Sequence, residues 1–229
     1  MNKNIVIILA RKGSKRIKSK NIINFFSMPL IYTSIYQAKK TKLFDQIIVS
    51  TDSKKIKKIS EKFGAKVPIL RSKKNSSDNA TTADVIKEVL NYKFIKNIKY
   101  KYCCVMYASS PFIKSVEIVN GYKNLVKKKL STFFQVTKIE THPHKHIIVK
   151  KNKATIVNDF LFEKNSQKNE NFFKDTGQWY WIKISDFLKY KKLIMNKNQC
   201  KVLSNLKTQD INTKEDLELA KLKFKNSNF

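Results

Sequence analysis

Short apolar runs alternate with helix-patterned stretches along the first half of the chain. Residues 5–10, 46–50, 66–70 and 102–107 are rich in Ile, Val, Leu, Cys and Tyr and predict buried strands. Between them, residues 29–40, 54–63 and 82–91 predict helices. Each has a start signal: Pro29 in the first turn, Asp52 or Ser53 as a cap, and Thr81 or Thr82 as a cap. Ile56, Ile59 and Phe63 recur at helical spacing and mark an inward face. This alternation predicts an α/β fold, a mostly parallel sheet with helices on both faces. Ligands in such sheets bind beyond the carboxyl ends of the strands, so segments 11–21, 51–53, 71–82 and 108–112 carry the candidate chemistry.

From about residue 140 the rhythm changes. Residues 142–151 and 153–158 predict a hairpin turning at Lys151 and Asn152, and the polar stretch 163–174 predicts a loop or arm. A strand over 179–184, a short helix over 185–190 and a closing helix over 214–224 follow, the last with Leu217, Leu219, Ala220 and Leu222. No internal repeat or low-complexity linker breaks the chain. Residues 1–229 are therefore expected to form a single domain, with a hairpin and arm over 140–178.

A chain of 229 residues with 41% hydrophobic content can bury a sizeable core. The net charge of +31 invites a nucleic-acid reading, but the lysines are spread over the whole chain. Only three of the 48 basic residues are arginine, the side chain that leads base readout, so no nucleic-acid partner is expected. Three cysteines, two of them adjacent and none in a C-x-x-C pair, argue against a disulfide framework or zinc site. They fit a reducing cytoplasm. No stretch reaches the roughly 18 apolar residues of a membrane span, so no membrane partner is expected.

The scarcity of arginine gives Arg11, Arg16 and Arg71 weight, because an arginine in a lysine-rich chain marks a place where a planar fork matters. Two of them fall in the loop after the first strand, which also holds Gly13, Ser14, Lys15 and Lys20. Basic side chains beside a glycine that admits backbone N–H groups form a phosphate-binding loop. A solvated basic loop is the competing reading.

The run Leu9-Ala10-Arg11-x-Gly13-Ser14-Lys15-Arg16-Ile17-x-x-Lys20-Asn21 resembles the signature of the CMP-sugar-acid synthetases, cytidylyltransferases that activate nine-carbon sugar acids. Blocks over 29–35, 44–52, 64–71 and 77–82, and Gln209-Asp210-Ile211-Asn212-Thr213, agree in order and spacing, so the resemblance covers nearly the whole chain. Within the family, Asp175-Thr176-Gly177-Gln178-Trp179-Tyr180-Trp181 and the segment from Tyr107 to Phe112 look like the pseudaminic acid form rather than the N-acylneuraminate form.

The resemblance implies a three-layer α/β/α nucleotidyltransferase sandwich with a small arm, commonly a homodimer. It also implies transfer of CMP from CTP to a 2-keto sugar acid with loss of pyrophosphate. Arg11, Gly13, Ser14, Lys15, Lys20 and Asn21 are then expected at the triphosphate, with Arg16 as either a phosphate contact or a surface residue. Leu9 and Ala10 are expected to read cytosine through their backbone, and Arg71, Asp78 and Thr81 to complete the base and ribose site. Asp78 could equally be a plain turn or cap residue. The acid is expected toward Tyr107, Ser109, Lys145 and Gln178. Arg11, Lys20 and Asp210 are the implied catalytic residues.

Mg²⁺ is the implied cofactor, since a triphosphate calls for a hard, oxygen-liganded cation. Asp210 and Asn212 are the implied ligands; a structural role for Asp210 at the helix approach is the alternative. The family pattern D-x-D has Asn212 at its second position here, so a carboxylate restored there is expected to strengthen metal binding. Asn165-Ser166-Gln167 stands where the family has R-S-Q, and Lys164 cannot reproduce the bidentate contact. His142, His144 and His146 alternate as a strand would place them, but no neighbouring carboxylate supports a metal site. Trp179, Tyr180 and Trp181 are read as core residues or, for Tyr180 and Trp181, as substrate-facing.

Overall fold

The computed structural model describes residues 3–14, 16–140, 145–157 and 171–226. Lys15, His142, His144, Lys164 and Asn165 to Gln167 lie outside them.

The first strand, β1 (Asn4–Leu9), is buried on both faces because every side chain of its apolar run meets a helical layer. Two short strands, β2 (Asn24–Phe25) and β3 (Met28–Pro29), lead to helix α1 (Leu30–Thr41), with β4 (Gln46–Ser50) after it. Helix α2 (Lys54–Lys62) starts where the Ser53 hydroxyl accepts from the Ile56 N–H. The predicted strand over 66–70 does not form. Only Lys66 bridges to Ile48, and Pro68, which lacks an N–H, ends the pairing beside the β4 edge.

Helices α3 (Lys73–Ser76), α4 (Thr82–Leu90) and α5 (Lys93–Lys96) precede β5 (Tyr102–Tyr107). Helix α6 (Ser115–Lys127) and β6 (Thr132–Lys138) come next. The hairpin strands β7 (Ile147–Lys150) and β8 (Lys153–Ile156) turn at Lys151 and Asn152 with φ of 47° and 62°. Two successive positive φ values are what a two-residue hairpin turn requires. Strand β9 (Phe173–Lys183) starts well before the predicted 179, absorbing the end of the polar stretch and the whole D-T-G-Q segment. A helix over Ile184–Tyr190, strand β10 (Asn198–Leu203) and the closing helix Lys214–Asn226 complete the chain.

The six-stranded sheet has the order β10-β6-β9-β5-β1-β4. Strand β9 runs antiparallel to both its neighbours, and the other pairs are parallel. Alternation along β1 sends Val6 and Ile8 to one face and Ile5 and Ile7 to the other. The first face packs on α1, α2 and α6 through Ile31, Ile35, Ile56, Ile118 and Leu125. The second packs on α4 and helix Ile184–Tyr190 through Ile86, Val89 and Phe187. This is the expected three-layer α/β/α arrangement. Trp179, Tyr180 and Trp181 are all buried in the core, and Trp181 donates its indole N–H to Ile118 O at 2.9 Å.

A third apolar cluster fixes the site. Ile17 from the loop after β1, Leu30, Phe112, Ile211, Leu217 and Ala220 pack together. It binds the N-terminal loop to the approach of the closing helix, although the two are nearly 200 residues apart in sequence.

Candidate active site

Strand β1 pairs with β4 on one side and β5 on the other, so the chain's direction across the sheet switches at β1. Beyond the carboxyl ends of β1 and β5, the loop after β1 faces the segment 71–82 across a crevice, the expected ligand position in such a sheet. A cleft of about 440 Å³ lies at this point, lined by Arg11, Gly13, Ser14, Arg16, Lys20, Asn21, Asp78 and Asn212. It continues through Arg11, Lys20, Asn21 and Asp78 into a smaller pocket of about 260 Å³, where Leu9, Arg71, Asn75, Thr82, Tyr107 and Ser109 also stand.

Arg11 reaches Asp78 at 2.8 Å and Ser77 O at 3.4 Å, so it clamps the loop after α3 against the loop after β1. Asn21 is buried and donates to Arg11 O at 2.9 Å, holding the bend of the loop. Lys20 Nζ donates to Ile211 O at 2.5 Å. Burial lowers the Lys20 ammonium below the usual lysine range; Asp210 pulls the other way, while Arg16 and Arg11 add to the lowering. An ammonium so placed gains from any anion that enters the cleft.

Arg71 is buried and donates to Ser50 Oγ at 3.0 Å and Ser50 O at 2.5 Å, which fixes the plane of its guanidinium. Burial is also the main cause of its lowered pKa, with Asp52 opposing. Glu88 of α4 supports this wall. It accepts from Ser72 N at 2.9 Å, from Ser72 Oγ at 2.7 Å, from Tyr92 at 3.3 Å and from Asn75. Burial would raise the Glu88 carboxyl, but these donors hold it below its usual range.

Several predicted residues stand elsewhere than expected. The Ala10 N–H donates to Ser50 O and Leu9 O accepts from Ala108 N, so these two backbone groups continue the sheet; Leu9 still lines the smaller pocket. Thr81 caps α4, its hydroxyl and N–H bonded reciprocally with Asp84, and its neighbours Ala80 and Thr82 line the smaller pocket instead. Tyr107 and Ser109, expected at the acid, stand in the same small pocket as Arg71. Tyr107 pairs with the Thr82 hydroxyl at 3.0 Å, and burial raises its phenol. Gln178 is buried and donates to Lys207 O at 3.0 Å, which fastens β9 to the segment after β10. Lys145 sits at the foot of the hairpin.

A larger cleft of about 650 Å³ borders the first at Asn212 and is lined also by Lys138, Glu140, His146, Lys174, Asp175, Gln209, Asp210 and Lys223. Asp175 accepts from the Gly177 N–H at 3.1 Å and from the Tyr180 hydroxyl. Sequence reasoning missed Lys174, Thr82, Glu88 and Asp216. Lys174 and Glu88 had no signal beyond charge, since pairing across the sheet and packing of α4 bring them in. Asp216 was legible as a cap: its carboxylate accepts from the N–H groups of Asn212 at 2.9 Å and Thr213 at 2.8 Å. Burial opposes its ionisation, yet those bonds keep it below the usual carboxylate range.

Asp210 is exposed, and one of its oxygens accepts from Asn212 Nδ2 at 2.6 Å. The Asn212 oxygen accepts from Arg16 at 2.9 Å. Among the described residues, no group of three His, Cys, Asp or Glu could hold a metal by itself. No helix among them is long and apolar enough to cross a membrane.

The fold is that of the nucleotidyltransferases. The structure of a CMP:2-keto-3-deoxy-manno-octonic acid synthetase complexed with CTP superimposes with a TM-score of 0.71 over 97% of this chain and 98% of that one, at 15% identity. A cytidylyltransferase family model matches residues 5–216, and the chain belongs to that family. A pseudaminic acid cytidylyltransferase of Campylobacter jejuni is 30% identical over 224 residues, 97% of each chain. A CMP-N,N'-diacetyllegionaminic acid synthase of Legionella pneumophila is 36% identical over 113 residues, 48% of this chain and 47% of that one.

Proposed function

We propose that the protein transfers CMP from CTP to the anomeric hydroxyl of a nine-carbon 2-keto sugar acid, pseudaminic acid, with release of pyrophosphate. The observation that carries this reading is one juxtaposition. A cationic cleft of about 440 Å³ and a polar cleft of about 650 Å³ meet at Asn212, whose amide donates to the Asp210 carboxylate that lines the second. The first suits a triphosphate and the second a polyhydroxylated acid. The choice of acid rests on the likeness to the Campylobacter enzyme along nearly the whole chain.

In this reading Arg11 and Lys20 take the phosphate oxygens, and Arg71, held by Ser50, faces the nucleoside. Ser14 and Gly13 bring hydroxyl and backbone donors to the same cleft. Transfer at phosphorus depends mostly on holding the attacking and leaving oxygens in line and on neutralising charge. The donor set fits Mg²⁺: one exposed carboxylate, Asp210, beside a phosphate cleft is a sufficient protein contribution for an ion that keeps phosphate and water ligands. Bound there, the ion would neutralise charge developing on the phosphates.

The hairpin exposes Ile147, Ile148 and Val149 and suits burial in a homodimer. A concentration-dependent mass that falls to monomer when the three are changed to Ser, Thr and Thr would support this.

The deciding assay is pyrophosphate release from CTP with pseudaminic, legionaminic and N-acetylneuraminic acids. The local likeness to the legionaminic acid synthase makes that acid the second reading. Pseudaminic acid is expected to win, because buried polar groups left unpaired by the wrong stereoisomer discriminate by up to roughly 10⁴-fold. A kcat/KM ratio of one or below against either competitor would overturn the choice of acid. Release from no acid would overturn the reaction.

A further inference from the structure

We propose that Asn212 is a hydrogen-bond relay that holds Arg16 as a further phosphate-facing cation, and that it is not a metal ligand. The inference rests on the phosphate reading of the 440 Å³ cleft, which Arg16 and Asn212 both line.

The geometry is a chain of two side-chain bonds. Arg16 Nη2 donates to Asn212 Oδ1 at 2.9 Å, and Asn212 Nδ2 donates to Asp210 Oδ2 at 2.6 Å. The Asn212 backbone is held as well, through its N–H to Asp216 at 2.9 Å. A carboxamide accepts with one atom and donates with the other; a carboxylate only accepts. Aspartate at 212 would keep the contact to Arg16 as an ion pair. It would lose the donor to Asp210 and set two carboxylates at hydrogen-bonding distance. Only the amide satisfies both neighbours.

The anchoring is not local to Arg16. Lys20 donates to Ile211 O at 2.5 Å, and Ile17 and Ile211 share one buried apolar cluster. The loop after β1 and the turn 210–213 are thus joined before and after Arg16, so the guanidinium is carried on a fixed frame. One of its five N–H groups goes to Asn212, a neutral partner that does not cancel its charge toward the cleft, although Asp216 also feels that charge. The Asn212 oxygen is engaged with a guanidinium, a poor neighbour for a divalent ion. The site has a fixed cation where a second metal-binding carboxylate would otherwise stand.

Calorimetric titrations of CTP and of cytidine in EDTA, on wild type and on Arg16→Ala, Asn212→Asp and Arg11→Ala, test this without metal. Arg16 is exposed, so its truncation should leave the melting curve unchanged even if Asn212→Asp alters it. Wild type should prefer CTP to cytidine. Arg16→Ala and Asn212→Asp should each lose about 10-fold or more in CTP affinity, with cytidine affinity unmoved. Asn212→Asp should then need more Mg²⁺ for half-maximal pyrophosphate release. Unchanged metal-free CTP affinity in Arg16→Ala and Asn212→Asp, while Arg11→Ala weakens it, would overturn the relay and leave the phosphate cleft standing. A lower Mg²⁺ requirement in Asn212→Asp would return position 212 to the metal. No preference of wild type for CTP over cytidine would overturn both readings.

Discussion

At the end proposed for the nucleotide two polar side chains, Arg71 and Asn21, are buried and held by named partners while Arg11, Arg16 and Asp78 stay open to solvent; at the end proposed for the acceptor, Lys174 and Asp175 stand on an exposed strand terminus. Arg71 and Asn21 are 7% and 8% exposed, whereas Lys174 and Asp175 on the start of β9 are open to solvent. The nucleotide end is assembled at the carboxyl edge of parallel strands, where each loop leaves the sheet at a fixed point. The end proposed for the acceptor is assembled where antiparallel β9 carries extra residues between Asp175 and Tyr180, opposite Phe134 to Val136 of β6. Fixed donors suit a constant substrate, because positioning made in advance is not lost on binding. Strand ends that project into solvent can change without disturbing the core, which suits a part of the site that must suit one acid among several.

The largest effects should break the nucleotide end. Asp210→Asn is expected to lower kcat by about 10²- to 10³-fold, the scale of losing one group that stabilises transition-state charge. Arg11→Ala and Lys20→Ala should each cost about 10- to 150-fold at saturating acid, since each removes a charge-assisted contact. Near-wild-type rates in steady-state assays would move the phosphate site elsewhere. By contrast, Lys174→Ala should change kcat/KM for the acid and leave metal-free CTP affinity as it was. Equal effects on both substrates would erase the distinction between the two ends.

A change in the shared core should affect both ends together. A Cβ on Gly121 would lie 2.5 Å from Trp179 Cη2 and 2.8 Å from Cζ3. Trp179 is buried on β9, so Gly121→Ala should destabilise by about 1–3 kcal/mol. Thermal melts should fall by about 2–4 °C per kcal/mol, and an unchanged melting point would mean that the indole can shift freely.

Glu88→Gln sharpens the comparison at lower amplitude. It weakens the carboxylate that holds Ser72 and Asn75 beside Arg71, so KM for CTP should rise about fivefold with kcat unchanged, equivalent to about 1 kcal/mol for a mostly solvent-screened group. The Glu88 carboxyl is lowered in the fold. Its contribution is therefore present above the ordinary glutamate pKa and lost as pH falls through the lowered value. CTP affinity in wild type, but not in Glu88→Gln, should weaken over that acidic range.

The smallest expected signal is a proton. Burial lowers the Lys20 ammonium, so its charged form costs folding stability, and that cost is relieved as pH rises from the lowered value toward the ordinary lysine range. Bound phosphate favours the charged form. CTP binding in that alkaline window should take up protons, and affinity should fall as pH rises. Binding heats that do not vary with buffer ionisation enthalpy would show Lys20 to be remote from the phosphates.

The α/β rhythm, the caps at Ser53 and Thr81, the hairpin turn at Lys151 and Asn152 and the basic loop after β1 were legible in the sequence. Each depends on neighbours along the chain: hydrophobic period, a side-chain oxygen two or three residues from an N–H, or positive φ at a tight turn. Where sequence alone failed, distant partners decided. Pro68 beside an edge ended a strand that its apolar run predicted. Lys174 and Asp175 became strand because β6 offered a ladder. Thr81 and Gln178 look like ligand residues in a motif, but the capping box and Lys207 O claim their side chains. Asn212 reads in sequence as a metal ligand short of one charge. Only the packing of Ile17 against Ile211, which brings Arg16 within 2.9 Å of it across nearly 200 residues, turns that amide into a relay.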